Sequence, residues 1–141
     1  LPDLDGLTLL AGEDAYGRWH HVLTHSGFSA VLICGGLALL ARERRARVFG
    51  FSVLAFHLHL VCDLLGSGPG WPISYLQPFS PVELMWQGQW NLASWQNSLI
   101  GLAATLGALA CALTVGRTPV ELFSLRADTA VVNTLKKRFA R

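Results

Sequence analysis

The chemistry this sequence can offer rests on its histidines and a few carboxylates. His59 and Asp63 lie four residues apart in Phe56-His57-Leu58-His59-Leu60-Val61-Cys62-Asp63, inside an apolar run from Val48 to Leu65. On a helix that spacing puts both side chains on one face. An ionisable pair in apolar sequence is costly unless compensated, and a bound metal ion is a strong compensation. His57 lies two positions from His59 and points off another face, so His59 is the expected partner of Asp63. Near the N-terminus Asp3 and Asp5 alternate, and His20, His21 and His25 follow within a short stretch. On a helix His21 and His25 share a face, and His20 joins them only if the helix begins there.

Taken alone, Asp3 and Asp5 would read as turn residues beside Pro and Gly, and a single histidine at a helix end as an ordinary interfacial residue. The combined set is harder to set aside, because it draws on three separate parts of the chain. Imidazole and carboxylate ligands without thiolate suit zinc, manganese or iron, with zinc the first expectation. The candidate metal ligands are Asp3, Asp5, His20, His21, His25, His59 and Asp63. They exceed what one ion takes, so two or more divalent ions are expected. Paired ions can clamp a phosphate ester and lower the pKa of a water that attacks it. No Ser-His-Asp order and no activated cysteine competes with that chemistry, and Asp5, His59 and Asp63 are the expected catalytic residues.

These residues must be positioned by apolar elements. Of the 141 residues only 14% are charged, against roughly 25% in ordinary soluble domains, while 52% are hydrophobic and the mean hydropathy is +0.41. That is the composition of a membrane protein. Gly27 to Ala41 is short for a span of about 20 residues but could extend back through Val22 and Leu23. Val48 to Leu65 and Ser98 to Val115 are the second and third apolar runs. The expected fold is all-α, a membrane helical bundle with about three transmembrane helices plus a C-terminal amphipathic helix. Residues 1–116 would form the membrane-embedded part and 117–141 a cytoplasmic tail.

Between the runs, Gly6, Gly12, Glu13, Asp14 and Gly17 read as a loop. Gly66-Ser67-Gly68-Pro69-Gly70-Trp71-Pro72 ends the second helix. The stretch to Asn97 carries Trp71, Trp86, Trp90, Trp95 and Tyr75, aromatics suited to the headgroup zone. Glu83, Trp90, Trp95 and Asn97 are expected to line the site. In the tail, Thr118-Pro119 is a helix-start signal. Val131, Val132, Leu135 and Phe139 then alternate with Lys136, Lys137 and Arg138 as an amphipathic segment. Cys34, Cys62 and Cys111 show no paired spacing and read as small hydrophobes rather than zinc ligands or a disulfide frame.

Charge sets the orientation. Of eleven Lys and Arg, four fall at 42–47 and six from Arg117 onward, leaving Arg18 alone on the other side. By the positive-inside rule the 42–47 turn and the tail are cytoplasmic. The histidines and most acids then gather near the outer, periplasmic face of a bacterial inner membrane. Starting at Leu1 with an outer N-terminus, the chain is expected to lack an earlier span. The basic residues are juxtamembrane and explained by topology, so nucleic acid is not an expected partner. Membrane lipids and a small-molecule or lipid phosphoester substrate are.

Leu1-Pro2-Asp3-Leu4-Asp5, then His20-x-x-x-Thr24-His25-Ser26, then His59-x-x-x-Asp63 with Gly66 and Trp71-Pro72, resembles the LexA-regulated, membrane-bound family of inner-membrane metal-dependent hydrolases. The resemblance covers about Leu1 to Trp95 and implies a membrane-bound hydrolase. The family shows His-Arg-Gly-x-Thr-His where this chain has His20-His21-Val22-Leu23-Thr24-His25. That register favours His20 as a ligand, whereas helical spacing favours His21. More distantly, the order of Asp, His and His-x-x-x-Asp is similar to the zinc-dependent phospholipase C architecture, which implies phosphoester hydrolysis at a multi-metal site. The alternatives are a b-type haem electron carrier, with His25 and His57 or His59 as axial ligands, and a non-catalytic membrane scaffold.

Overall fold

An apolar run can satisfy its backbone away from water only by closing its own hydrogen bonds, and here the apolar runs do so as helices. A computed structural model of the chain describes residues 2–41 and 43–139. Leu1 of the N-terminal motif, Arg42 of the basic turn, and Ala140 and Arg141 of the tail lie outside the described residues. The elements are a 3-10 segment at Pro2–Ala11, α1 (Glu13–Trp19), α2 (Gly27–Leu40), α3 (Arg45–Gly66), α4 (Trp95–Thr114), a 3-10 turn at Pro119–Leu122, and α5 (Leu125–Phe139). Ile73 and Leu84 make an isolated antiparallel bridge, and no strand forms among the described residues. The fold is all-α, as the sequence predicts.

Two compact units divide the chain, Leu1–Leu92 and Ala93–Arg141. In the first, α2 and α3 form a hairpin over the basic turn, where Arg44 takes a left-handed conformation at φ 55°. Their shared core holds Ala30 and Cys34 of α2, Phe56 and Leu60 of α3, and Ile73 of the following loop. Each helical pair is spaced four residues apart, one stripe per helix. Ile33, Val53, Leu64 and Tyr75 pack against this core, while Leu32, Phe51, Leu54 and Leu58 stay exposed.

Two helices, α3 and α4, are long and apolar enough to cross a membrane, and only 11% and 6% of their most apolar stretches are buried within the structure. A helix at the centre of a water-soluble domain would bury such surface; these leave it open, as lipid-facing helices do. The first apolar run forms a helix of 14 residues and does not extend back through Val22 and Leu23. The Ser26 hydroxyl caps α2 by accepting from the Ser29 amide at 3.1 Å, and the Gly27 amide turns away to the Tyr75 carbonyl at 2.9 Å. Any Cβ at Gly27 would meet the Tyr75 ring at 3.1 Å, so a helix start without a side chain fits here. The three expected spans thus become two of spanning length and a shorter apolar α2.

The stretch read as an N-terminal loop is mostly helical. Asp3 and Asp5 sit in the first turn of its 3-10 segment, where carboxylates suit the unpaired amides. Gly12, at φ 111°, separates that segment from α1. Thr24 donates its hydroxyl to the Pro2 carbonyl, tying the segment onto the turn at 20–26.

In the second unit Ala112 of α4 and Val132 of α5 are buried. Thr118 accepts from the Val120 amide at 3.2 Å, as the Thr-Pro signal predicts. Asp128 of α5 accepts from the Thr118 amide at 2.8 Å and from its hydroxyl at 2.5 Å. The amphipathic helix expected in the tail is α5, with Lys136, Lys137 and Arg138 in its last turn.

Candidate metal centre

The site is built from three pieces of the first unit: the 3-10 segment with Asp3 and Asp5, the turn with His20 to His25, and the far end of α3 with His59 and Asp63. The turn supplies its histidines from irregular backbone, because residues 20–26 are not helical. His21 stands at φ 66°, a conformation costing a non-glycine residue on the order of 1–2 kcal/mol. Helical spacing between His21 and His25 therefore does not apply.

Asp5 lies behind the cluster, only 3% exposed. One carboxylate oxygen accepts from His20 Nδ1 at 2.8 Å. The other accepts from His25 Nδ1 at 3.0 Å and from the Thr24 amide at 3.2 Å. An ionised carboxylate can only accept, so both imidazoles carry a proton on Nδ1, which leaves Nε2 as the ligand atom whenever the ring is neutral. This is the carboxylate–histidine pairing that orients metal ligands.

His25 Nε2 faces the Asp63 carboxylate at 3.4 Å and Asp3 at 3.6 Å. His59 Nε2 lies 3.1 Å from Asp3 and 3.1 Å from Asp63, the i,i+4 pair read from the sequence. Asp3, His25, His59 and Asp63 bring one ligand atom each within 4.8 Å of one another. His25 Nε2 and Asp63 Oδ2 are buried with no hydrogen-bond partner. Without metal, His59 Nε2 donates to Asp3 Oδ1 at 3.1 Å; once the imidazole protons are released, the four ligand atoms turn their lone pairs toward one point, where a metal ion can satisfy them. At ligand distances of about 2.1 Å, neighbouring ligands around a tetrahedral ion stand about 3.4 Å apart. The four imidazole–carboxylate spacings, 3.1–3.6 Å, lie around that value, so the donor set fits a divalent ion.

Burial alone would raise the Asp5 carboxyl, but the hydrogen bonds from His25 and His20 outweigh it and hold the group at about 2. Burial would lower His25; Asp5 and Asp63 outweigh it and raise the imidazole to about 9. Without metal, His25 therefore holds a proton at neutral pH. His21 is pushed down to about 4 by burial and by the neighbouring His25 and His20, and stays neutral. For the metal-free protein these shifts set a window. Asp5 is depressed, so its contribution is present above pH 3.8 and lost as pH falls to 2. His25 is elevated, so its contribution is complete below pH 6.5 and lost as pH rises through 9. Thermal melts in chelator should accordingly show stability falling between pH 6.5 and 9.5, a fall that saturating metal removes.

His20 and His21 stand beside the cluster rather than in it. With Asp3, Tyr16, His59, Asp63 and Trp71 they line a cavity of about 320 Å³. His20 stacks on Tyr16 with ring centres 4.5 Å apart. Trp71 sets its ring edge against His20 and His21 at 5.8 and 5.5 Å, and its carbonyl accepts from the Gln89 amide at 2.8 Å. His21 Nδ1 is buried without a hydrogen-bond partner. Asp5, expected among the ligands, has both oxygens engaged by His20, His25 and the Thr24 amide.

His57 is directed elsewhere, to the Val53 carbonyl at 2.8 Å and the Tyr75 hydroxyl at 3.0 Å. Glu83 lines a neighbouring cavity of about 230 Å³ with His20 and Trp71. The Trp90 amide donates to the Leu65 carbonyl at 3.0 Å. Trp95 and Asn97 belong to the second unit. Sequence reasoning gave Tyr16 no role, and its spacing of four from His20 was the available signal. Cys34 is buried, Cys62 half-buried and Cys111 exposed, and all are free.

Compared with protein families, residues 1–134 match the one described as YdjM inner membrane protein. No curated protein and no solved structure matches the chain.

Proposed function

The chain belongs to the YdjM inner membrane protein family, and from that premise we propose that it is a membrane-bound, metal-dependent hydrolase acting on phosphoesters. The observation that carries this reading is the convergence of Asp3, His25, His59 and Asp63 with two orphaned buried ligand atoms. We assign these residues to the ion, zinc first and manganese or iron as substitutes. When bound, a divalent cation supplies Lewis-acid activation of water and of a phosphoryl oxygen. Asp5 holds His25 and His20 with Nε2 toward the reaction, and His20 and His21 are the residues available to a second ion. In the hydrolysis the water oxygen bonds to phosphorus, the P–O ester bond breaks, and a water proton leaves with the alcohol. Trp71, Tyr16 and His21 wall the cavity in which the phosphoryl group would sit.

Topology supports a periplasmic site. Asp63 stands eighteen residues beyond Arg45, about 27 Å along α3, close to the thickness of the bilayer's hydrocarbon core, about 30 Å. With Arg44, Arg45 and Arg47 held on the cytoplasmic side, the cluster reaches the opposite interface. Haem ligation fits less well, because the Asp3 and Asp63 oxygens occupy the space between His25 and His59 that a porphyrin would need.

The test is a screen of phosphomonoesters, phosphodiesters and phospholipids with the full chain in mild detergent, reconstituted with zinc or manganese. The proposal expects metal-dependent release of product from at least one class. Hydrolysis of none, by protein shown to hold its metal, would overturn it.

A further inference from the structure

A second cavity adjoins the cluster, and its lining says what else the site holds. It encloses about 270 Å³ between α2 and α3, walled by Ile33, Leu37, Ser52 and Ala55, with Cys34 and Phe56 at its floor and His59 at its head. His59 lines both this cavity and the polar one above it. From His59 back to Ser52 the groove follows one stripe of α3 for about 10 Å. It runs away from the carboxylates, toward the Arg45 end of a helix able to span the membrane.

We propose that this groove holds the headgroup-proximal part of one acyl chain of a membrane lipid whose phosphoester lies at the metal centre; the proposal rests on the hydrolase reading and names its substrate. A slender apolar occupant suits the space, which is smaller than the roughly 300–1,000 Å³ of pockets for compact drug-sized ligands. An extended peptide is a poorer match. Its amides need partners at this depth, and apart from His59 and the Ser52 hydroxyl the lining side chains are apolar. The order of chemistry along α3 matches a lipid: carboxylate and imidazole at Asp63 and His59, hydrocarbon at Phe56 and Ala55. A chain in the groove would set the headgroup against the cluster without lifting the lipid from the bilayer.

The test uses the full chain in nanodiscs containing phosphatidylglycerol with a photoreactive diazirine on one acyl chain. Wild type is expected to label in the Ile33–Leu37 and Ser52–Phe56 stretches. In Ala55→Trp that labelling should fall at least fivefold, while labelling at the outward-facing Leu58 stays unchanged. Ser52→Phe gives the same reading from a second position should Ala55→Trp fail to fold. In parallel, Ala55→Trp should lose at least tenfold in kcat/KM on a long-chain phospholipid and keep its rate on a short, water-soluble phosphoester. Groove labelling equal in wild type and both variants, or equal loss on both substrates, would overturn the proposal. If wild type hydrolyses neither substrate yet the groove labels as expected, the lipid site stands and the hydrolase reading falls.

Discussion

Asp63→Ala is expected to weaken metal binding at least a hundredfold. Asp63 contributes the buried oxygen that faces both His25 Nε2 and His59 Nε2, at 3.4 and 3.1 Å. A structural zinc site is worth about 10–16 kcal/mol over four ligands, so each ligand carries roughly 3 kcal/mol, about two orders of magnitude in affinity. The substitution also removes one of two negative charges that offset the ion. His59→Ala should behave alike, because it takes away the other ligand from α3. Competition against a chromophoric chelator measures the affinity of each variant. Because alanine is a strong helix former, helix content by circular dichroism should match wild type.

The second large effect comes from a residue outside the ligand set. Asp5→Asn should cost ten- to a hundredfold in metal affinity, the range found when the partner of a metal-binding histidine is lost. The reason is the tautomer. Asp5 accepts from Nδ1 of both His20 and His25, but an asparagine offers one accepting oxygen and one donating nitrogen. Whichever imidazole meets the donating nitrogen must turn its own lone pair to it. The proton then moves to Nε2, where it points at the ion. Nitrogen-15 chemical shifts of the histidine side chains report this directly: the metal-loaded wild type should show Nδ1-protonated His25, and Asp5→Asn a mixture. Unchanged affinity and unchanged tautomers in Asp5→Asn would remove Asp5 from the site.

Much of this site was legible because its residues violate their surroundings. His59 and Asp63 stand out of an apolar run, and helix geometry alone places them on one face. Their meeting with Asp3 and His25 could be expected only from charge-derived topology, which put the three pieces near one interface. The roles within the set were not legible. Asp3 and Asp5 look equivalent in sequence, yet the 3-10 backbone sends one to the cluster and buries the other behind it. The contest between His20 and His21 assumed a helix that Ser26 and the Tyr75 carbonyl prevent. The length of α2 was misread for the same reason, since an apolar run carries no mark where a loop residue will take its first amide. The groove beside His59 was invisible for a different cause: it depends on which small residues of α2 and α3 face each other across the hairpin.

X-ray absorption at the metal edge of the full chain, purified in mild detergent and loaded with zinc, reads the ligand set itself. The expected result is a first shell of nitrogen and oxygen at about 2.0–2.2 Å, with outer-shell scattering from two or more imidazoles and no sulfur at about 2.3 Å. His25→Ala should lose one imidazole from that pattern or lose the metal. A sulfur shell, a shell without imidazole, or a chain that retains no zinc would contradict it.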